Sequence, residues 1–176
     1  EHQYQLTGKT IGLLKERNIP VIILTKSADV GNWAHYLGYS RKNCVYITIN
    51  AKVIRNNLEK RSHSYERRLA AAEKLFLKGI RVVLYVSPVI PGICDYKEMF
   101  NMASGKASAL YFESYNPKLG QWQEVKELLG PQSLNKMNEV YSIKEKYWAY
   151  WEAWKKEVTA YNKQFHLDLD FFIYPF

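Results

Sequence analysis

The chain has 176 residues, 47% of them hydrophobic, 24% charged and 15% aromatic. That is one globular domain's worth of sequence with enough apolar side chains for a real core. This composition excludes a disordered or collagen-like chain, and no apolar run approaches the ~20 residues of a membrane-spanning helix. The net charge of +8 is lopsided: residues 1–88 hold 15 Lys/Arg against 6 Asp/Glu (+9), residues 89–176 hold 10 against 11 (−1). Such a field favours an anionic partner such as nucleic acid, a phosphorylated substrate or anionic lipid, the alternative being a solubilising surface.

In chain order, Thr7 can cap a helix over Gly8–Arg17, and Asn18 and Pro20 punctuate the turn after it. Val21 to Leu24 reads as a short strand buried on both faces. Asp29 to Leu37 fits a short helix closed by Gly38, and Cys44 to Ile49 is a second strand. Ser64 opens the clearest helix: Tyr65, Leu69, Ala72 and Phe76 recur at helical spacing and Gly79 ends it. Ile80 to Val86 is the third strand, with Pro88 and Pro91 expected to prevent its continuation. A short helix around Tyr96–Ala103 precedes a fourth strand, Ser108 to Phe112. Alternating strands and helices at this spacing predict right-handed βαβ units and a parallel sheet, hence an α/β fold.

The last third differs. Val140, Ile143, Tyr147, Trp151, Trp154, Val158, Tyr161 and Phe165 trace one face of a single long aromatic helix over about Ser133–Phe165. Trp151 and Trp154 belong to that stripe and are expected in the core, which leaves Tyr141 and Trp148 as candidates for stacking on a base. Leu169 to Tyr174 can add a last strand. Residues 1–117 are read as the αβ unit and 118–176 as a helical extension packed on the same domain.

Candidate chemistry sits where strands end. The apolar runs finish in Thr25-Lys26-Ser27, in Thr48 and Asn50, in Ser87, and in Glu113-Ser114. In parallel α/β folds ligands bind outside the carboxyl ends of the strands. Four polar strand ends in register therefore predict one pocket, although each residue alone can merely mark where burial stops. Lys26, directly after an apolar strand, suits a carboxylate or phosphate, or else snorkels to solvent. Glu59 and Arg68 flank the basic segment and can pair with each other; Glu59 can equally meet ribose hydroxyls. The four histidines share no metal or triad spacing, and no phosphate loop or hydrolase elbow is present. Cys44 and Cys94 cannot build a disulfide framework, and neither has a partner at metal-ligand spacing, so no metal ligand is assigned. Nothing at the N-terminus reads as a targeting segment, and a reducing cytoplasm is the expected compartment. No residue is assigned as catalytic.

Several stretches, in order, resemble the radical S-adenosylmethionine (SAM) enzymes, in their spore photoproduct lyase-like (DNA repair photolyase) branch. They are Glu1 through Thr7 (EHQYQLT), Leu24 through Ser27 (LTKS), Val45 through Ala51 (VYITINA), Glu59 through Leu69 (EKRSHSYERRL) and Val86 through Asp95 (VSPVIPGICD). The resemblance covers about residues 1–117. It implies a partial (β/α) barrel, here about four of six units, with SAM at the strand ends beside a [4Fe–4S] cluster. It further implies that Lys26 holds the SAM carboxylate, Thr48 touches the amino-acid or ribose portion, Glu59 lies at the ribose and Ser87 borders the adenine. Arg61 and Arg68 become candidates for binding a substrate or anion, and Glu113 matches only loosely.

The family's Cys-x-x-x-Cys-x-x-Cys loop is absent, so either upstream residues or a separate chain supply the cluster, or the lineage has lost it. The expected function is that of the C-terminal part of an enzyme generating a 5′-deoxyadenosyl radical for hydrogen abstraction, with nucleic acid as a candidate substrate and this chain inert alone. The alternative is a cluster-less basic module that binds nucleic acid or a protein partner.

Overall fold

Short β-branched runs alternating with amphipathic segments leave the chain few ways to bury its apolar side chains, and the one it adopts is a single parallel sheet. The computed structural model describes residues 6–119 and 122–176. In chain order the elements are α1 (Leu6–Glu16), β1 (Ile22–Thr25), a 3₁₀ turn (Ala28–Trp33), α2 (Ala34–Leu37), β2 (Cys44–Ile49), α3 (Lys52–Leu58), α4 (Tyr65–Phe76) and β3 (Arg81–Val89). There follow α5 (Tyr96–Ala103), β4 (Ala109–Ser114), a 3₁₀ turn (Pro117–Leu119), α6 (Trp122–Leu128), α7 (Pro131–Val140), α8 (Lys144–Asn162) and β5 (Asp168–Phe172). The first five residues of the Glu1–Thr7 stretch, His2 among them, lie outside the described residues.

The five strands are all parallel and stand in the order β1-β2-β3-β4-β5. When right-handed crossovers always step to the next strand in the same direction, the helices that pack on the sheet share one face, as in a sector of a (β/α) barrel. The main core has that composition. Val45, Ile47, Val82, Leu84, Val86, Leu110 and Phe112 pack with Ala72 and Leu75 of α4, Phe100 of α5 and Trp151 and Val158 of α8. The opposite face carries Cys44, Val83 and Ala109 with half-buried Tyr46 and Tyr111, and no helix residue belongs to that cluster. A second core of Ala51, Ile54, Ile90, Tyr115, Val125 and Met137 closes the carboxyl end of the sheet.

Several expectations need correction. The first strand is not buried on both faces: Ile22 and Leu24 are 70% and 61% exposed, because β1 is the edge strand and these alternate residues point to the open face. The third strand runs through Pro88 to Val89. Its pairing with β4 shifts register between Val86 and Val89, the kind of irregularity where a proline is tolerated in a sheet. The long aromatic helix is two helices, α7 and α8, with extended backbone at Ile143 between them. Tyr141 turns away to donate its hydroxyl to the Tyr115 carbonyl (2.7 Å), and Ile143 is left exposed. The last strand expected over Leu169–Tyr174 does form, as β5 paired parallel to β4, so residues 118–176 add a further βα unit to the sheet as well as helices.

Other features follow their local chemistry. The Ser64 side chain caps α4 by accepting from the Arg67 N–H, and Gly79 at φ +73° turns the chain after it. Asp95 caps α5 through the amides of Lys97 and Glu98. Trp151 and Trp154 are buried in the core. Among the described residues no helix is long and apolar enough to cross a membrane.

Candidate functional site

A strand that ends in polar residues at the rim of a parallel sheet presents them where loops and helix starts converge. β1 ends at Thr25, and the backbone beyond it is pinned twice. The Ser27 N–H donates to Thr25 Oγ1 (2.9 Å), and the Ala28 N–H donates to His63 Nδ1 (2.9 Å) in the loop before α4. His63 thus holds a turn, in keeping with a capping role. Lys26, fixed between these contacts, points its ammonium 2.6 Å from Glu59 Oε1.

Glu59 closes α3, its N–H bonded to the Arg55 carbonyl. Its carboxylate is almost buried, with 8% of the side chain exposed, and such a charge needs compensation. Oε1 also receives Asn50 Nδ2 (2.8 Å), and Oε2 receives Arg68 Nη2 (3.0 Å). Burial pushes the Glu59 carboxyl up, but the hydrogen bonds and charges of Lys26 and Arg68 bring it below its ordinary value of 4.5.

Arg68 is fully buried and spends its fork on the surrounding chain: Nε to the His63 carbonyl (2.9 Å), Nη1 to the Thr48 carbonyl (2.8 Å), and Nη2 to Ser62 Oγ (2.6 Å) as well as to Glu59. The expected Glu59–Arg68 pair therefore forms. A guanidinium enclosed in this way braces the site and does not face a substrate. One turn earlier on α4, Tyr65 donates to Asn50 Oδ1 (2.6 Å) and to the Asn50 carbonyl, and burial moves its phenol well above the usual range.

The other half of the rim is built on Glu113 at the end of β4. Ser87 Oγ donates to its Oε2, and the Tyr174 hydroxyl donates to its Oε1 (2.7 Å). That bond pushes the Tyr174 phenol up to about 12. Burial moves Tyr85 upward too, with Glu113 adding to the shift. Asn50 Nδ2 reaches the Ser87 carbonyl at 3.4 Å and joins the two halves.

Lys26, Thr48, Glu59 and Ser87 thus stand at one end of the sheet. Lys26 and Glu59 touch, Thr48 is tied to Glu59 through Arg68, and Ser87 through Asn50. Thr48 lies in register with Tyr85 and is buried. Arg61 lines an open groove of about 480 Å³ with Lys26, Asn57, Glu59, Lys60 and Ser62. Beside Ser87 and Glu113 lies a smaller pocket of about 160 Å³, bounded also by Asn116 and Tyr174. Sequence reasoning missed the linking role of Asn50 and the part of Tyr65 and Tyr174. Asn50 is a polar strand end, which is a signal, but the tyrosines carry none beyond their polarity.

Cys44 begins β2 and Cys94 follows the end of β3, so the two free thiols lie at opposite ends of the sheet. Burial raises both, Cys94 to about 12, which disfavours a thiolate. Among the described residues no group of three or more His, Cys, Asp or Glu can hold a metal ion. A [4Fe–4S] cluster does not fit this residue set.

No family model matches the chain, and no curated protein matches it in sequence. Solved structures do match its fold. A cysteine-to-serine variant of spore photoproduct lyase superposes with a TM-score of 0.63 at 19% identity, covering 98% of this chain and 57% of that one. The lyase complexed with dinucleoside spore photoproduct gives 0.62 at 15% identity over the same shares. A doubly substituted variant with bound AdoMet and dinucleoside spore photoproduct gives 0.59 at 18%, over 97% and 56%. The chain has the α/β fold of part of spore photoproduct lyase and spans little more than half its length.

Proposed function

We propose that the carboxyl rim of β1–β3 binds S-adenosylmethionine as the ligand-holding part of a radical SAM enzyme. The observation that carries this reading is the convergence of Lys26, Glu59, Asn50 and Ser87 on one rim, with a buried carboxylate beside a half-exposed ammonium. Lys26 takes the carboxylate of the methionine half, and Glu59 accepts from the ribose hydroxyls. Thr48 touches the amino-acid or ribose portion, and Ser87 with its adjoining backbone borders the adenine. Arg68 and Tyr65 hold Glu59 and Asn50 in place, and Arg61 offers a cation at the groove. The likeness to a lyase structure with bound AdoMet supports the assignment.

In radical SAM enzymes this ligand supplies hydrogen-abstraction chemistry after one-electron cleavage. The two thiols here are too few and too far apart to ligate the cluster that donates the electron. We therefore assign its cradle to residues outside these 176 or to a partner chain, and the chain to ligand binding without turnover alone. Two free thiols suit a reducing cytoplasm.

Equilibrium dialysis with labelled SAM tests the reading. Saturable binding, competed by S-adenosylhomocysteine and weakened about tenfold by Lys26→Ala, is expected. Absence of binding to the folded chain contradicts it. A second reading draws on Lys60 and Arg61 in the open groove: a nucleic-acid contact. It predicts affinity for single-stranded DNA that falls steeply with salt and is indifferent to SAM.

A further inference from the structure

Glu59 is already fully used on the side that faces Lys26. A carboxylate offers about four acceptor positions, two on each oxygen. Oε1 has both filled, by Asn50 Nδ2 at 2.8 Å and Lys26 Nζ at 2.6 Å, while Oε2 has one filled by Arg68 Nη2 at 3.0 Å. A vicinal diol needs two acceptors and finds one. Of the three donors only Lys26 can leave cheaply. Arg68 is fully enclosed and Asn50 is buried, whereas the Lys26 side chain is 47% exposed.

We infer that the Lys26–Glu59 ion pair is a specificity lock, which opens without net loss only when a carboxylate and a vicinal diol occupy the rim together. The inference rests on the SAM reading of this rim and adds to it a rule about which ligands bind. A diol alone has to displace Lys26 with nothing offered in return. A carboxylate alone can reach the remaining donors of Lys26, but it then sits beside the Glu59 charge. A ligand with both groups exchanges one ion pair for another: Lys26 swings to the ligand carboxylate, and the vacated position on Oε1 accepts the second hydroxyl. No covalent bond changes.

The two halves of SAM therefore help each other, and removing Lys26 has opposite effects on different ligands. Calorimetric titration of the chain and its Lys26→Met variant with SAM, adenosine and L-methionine tests this. The substitution falls on a half-exposed side chain, so the variant keeps the fold. SAM is expected to bind Lys26→Met about tenfold more weakly. Adenosine is expected to bind it about threefold more tightly than wild type, because the diol no longer competes with an ammonium. Saturating L-methionine is expected to tighten adenosine on wild type and to leave it unchanged on Lys26→Met. If SAM binds wild type but adenosine binds Lys26→Met no better, the lock is refuted and the SAM site stands. If SAM fails to bind wild type at all, both fall.

Discussion

Two carboxylates stand at the same rim and are held in opposite ways. Glu59 is compensated by charge, with Arg68 behind it, Lys26 in front and Asn50 between. Glu113 is surrounded by neutral hydroxyls, those of Ser87 and Tyr174, with Tyr85 close by. Each carboxylate is thereby suited to a different task. Cations depress the Glu59 carboxyl and keep it an acceptor, which is what a sugar diol requires. Around Glu113 the consequence falls on the donors, whose phenols are driven upward and stay protonated. One end of the rim is held together by charge and the other by neutral hydrogen bonds.

The sharpest way to break this contrast is Arg68→Ala. It leaves Glu59 nearly buried beside a half-exposed lysine and orphans the Thr48 and His63 carbonyls, so denaturant unfolding should show a loss of about 3–5 kcal/mol. A loss below ~1 kcal/mol would mean that Glu59 is not held by this brace. Tyr65→Phe removes the donor to Asn50 and should cost about 1–3 kcal/mol in the same measurement, with SAM affinity falling because Asn50 loosens.

At the other end, Glu113→Gln keeps an acceptor oxygen for the hydroxyls and should cost at most about 1.5 kcal/mol. A cost equal to that of Arg68→Ala would erase the distinction between the two carboxylates. The smallest effect concerns acid. The folded-state carboxyl of Glu59 is depressed, so its contribution is complete above its ordinary value of 4.5 and is lost as the pH falls through the folded value. Lys26→Met shrinks that depression. The stability gap between wild type and variant should therefore narrow as the pH drops below 4.5, and a gap that widened would reverse the sign.

Legibility in the sequence was uneven for physical reasons. β2, α4 and α5 carry their own boundaries, through a β-branched run, a Ser64 cap and an Asp95 cap, and these elements stand where local chemistry puts them. The break between α7 and α8 carries a faint local mark, the Ser142-x-x-Glu145 start pattern just before α8, which the aromatic stripe running through it outweighs. At the break Tyr141 reaches the Tyr115 carbonyl across the fold, a contact no local window reveals. The exposure of Ile22 and Leu24 follows from β1 being at an edge, which no window of four residues reveals.

The site divides the same way. Lys26, Thr48 and Ser87 announce themselves as polar ends of apolar runs. An arginine on an amphipathic helix reads as surface, so the burial of Arg68 was invisible. The bridge from Asn50 to Glu59 and Ser87 depends on approaches across 9 and 37 positions.

Amide chemical-shift mapping during a titration of the chain with S-adenosylmethionine decides whether this rim holds the ligand. Perturbations are expected at Lys26, Asn50, Glu59 and Ser87, with Cys44 and Arg81 at the far ends of their strands unmoved. Shifts confined to those far ends, or none at saturating ligand, would contradict binding at the rim.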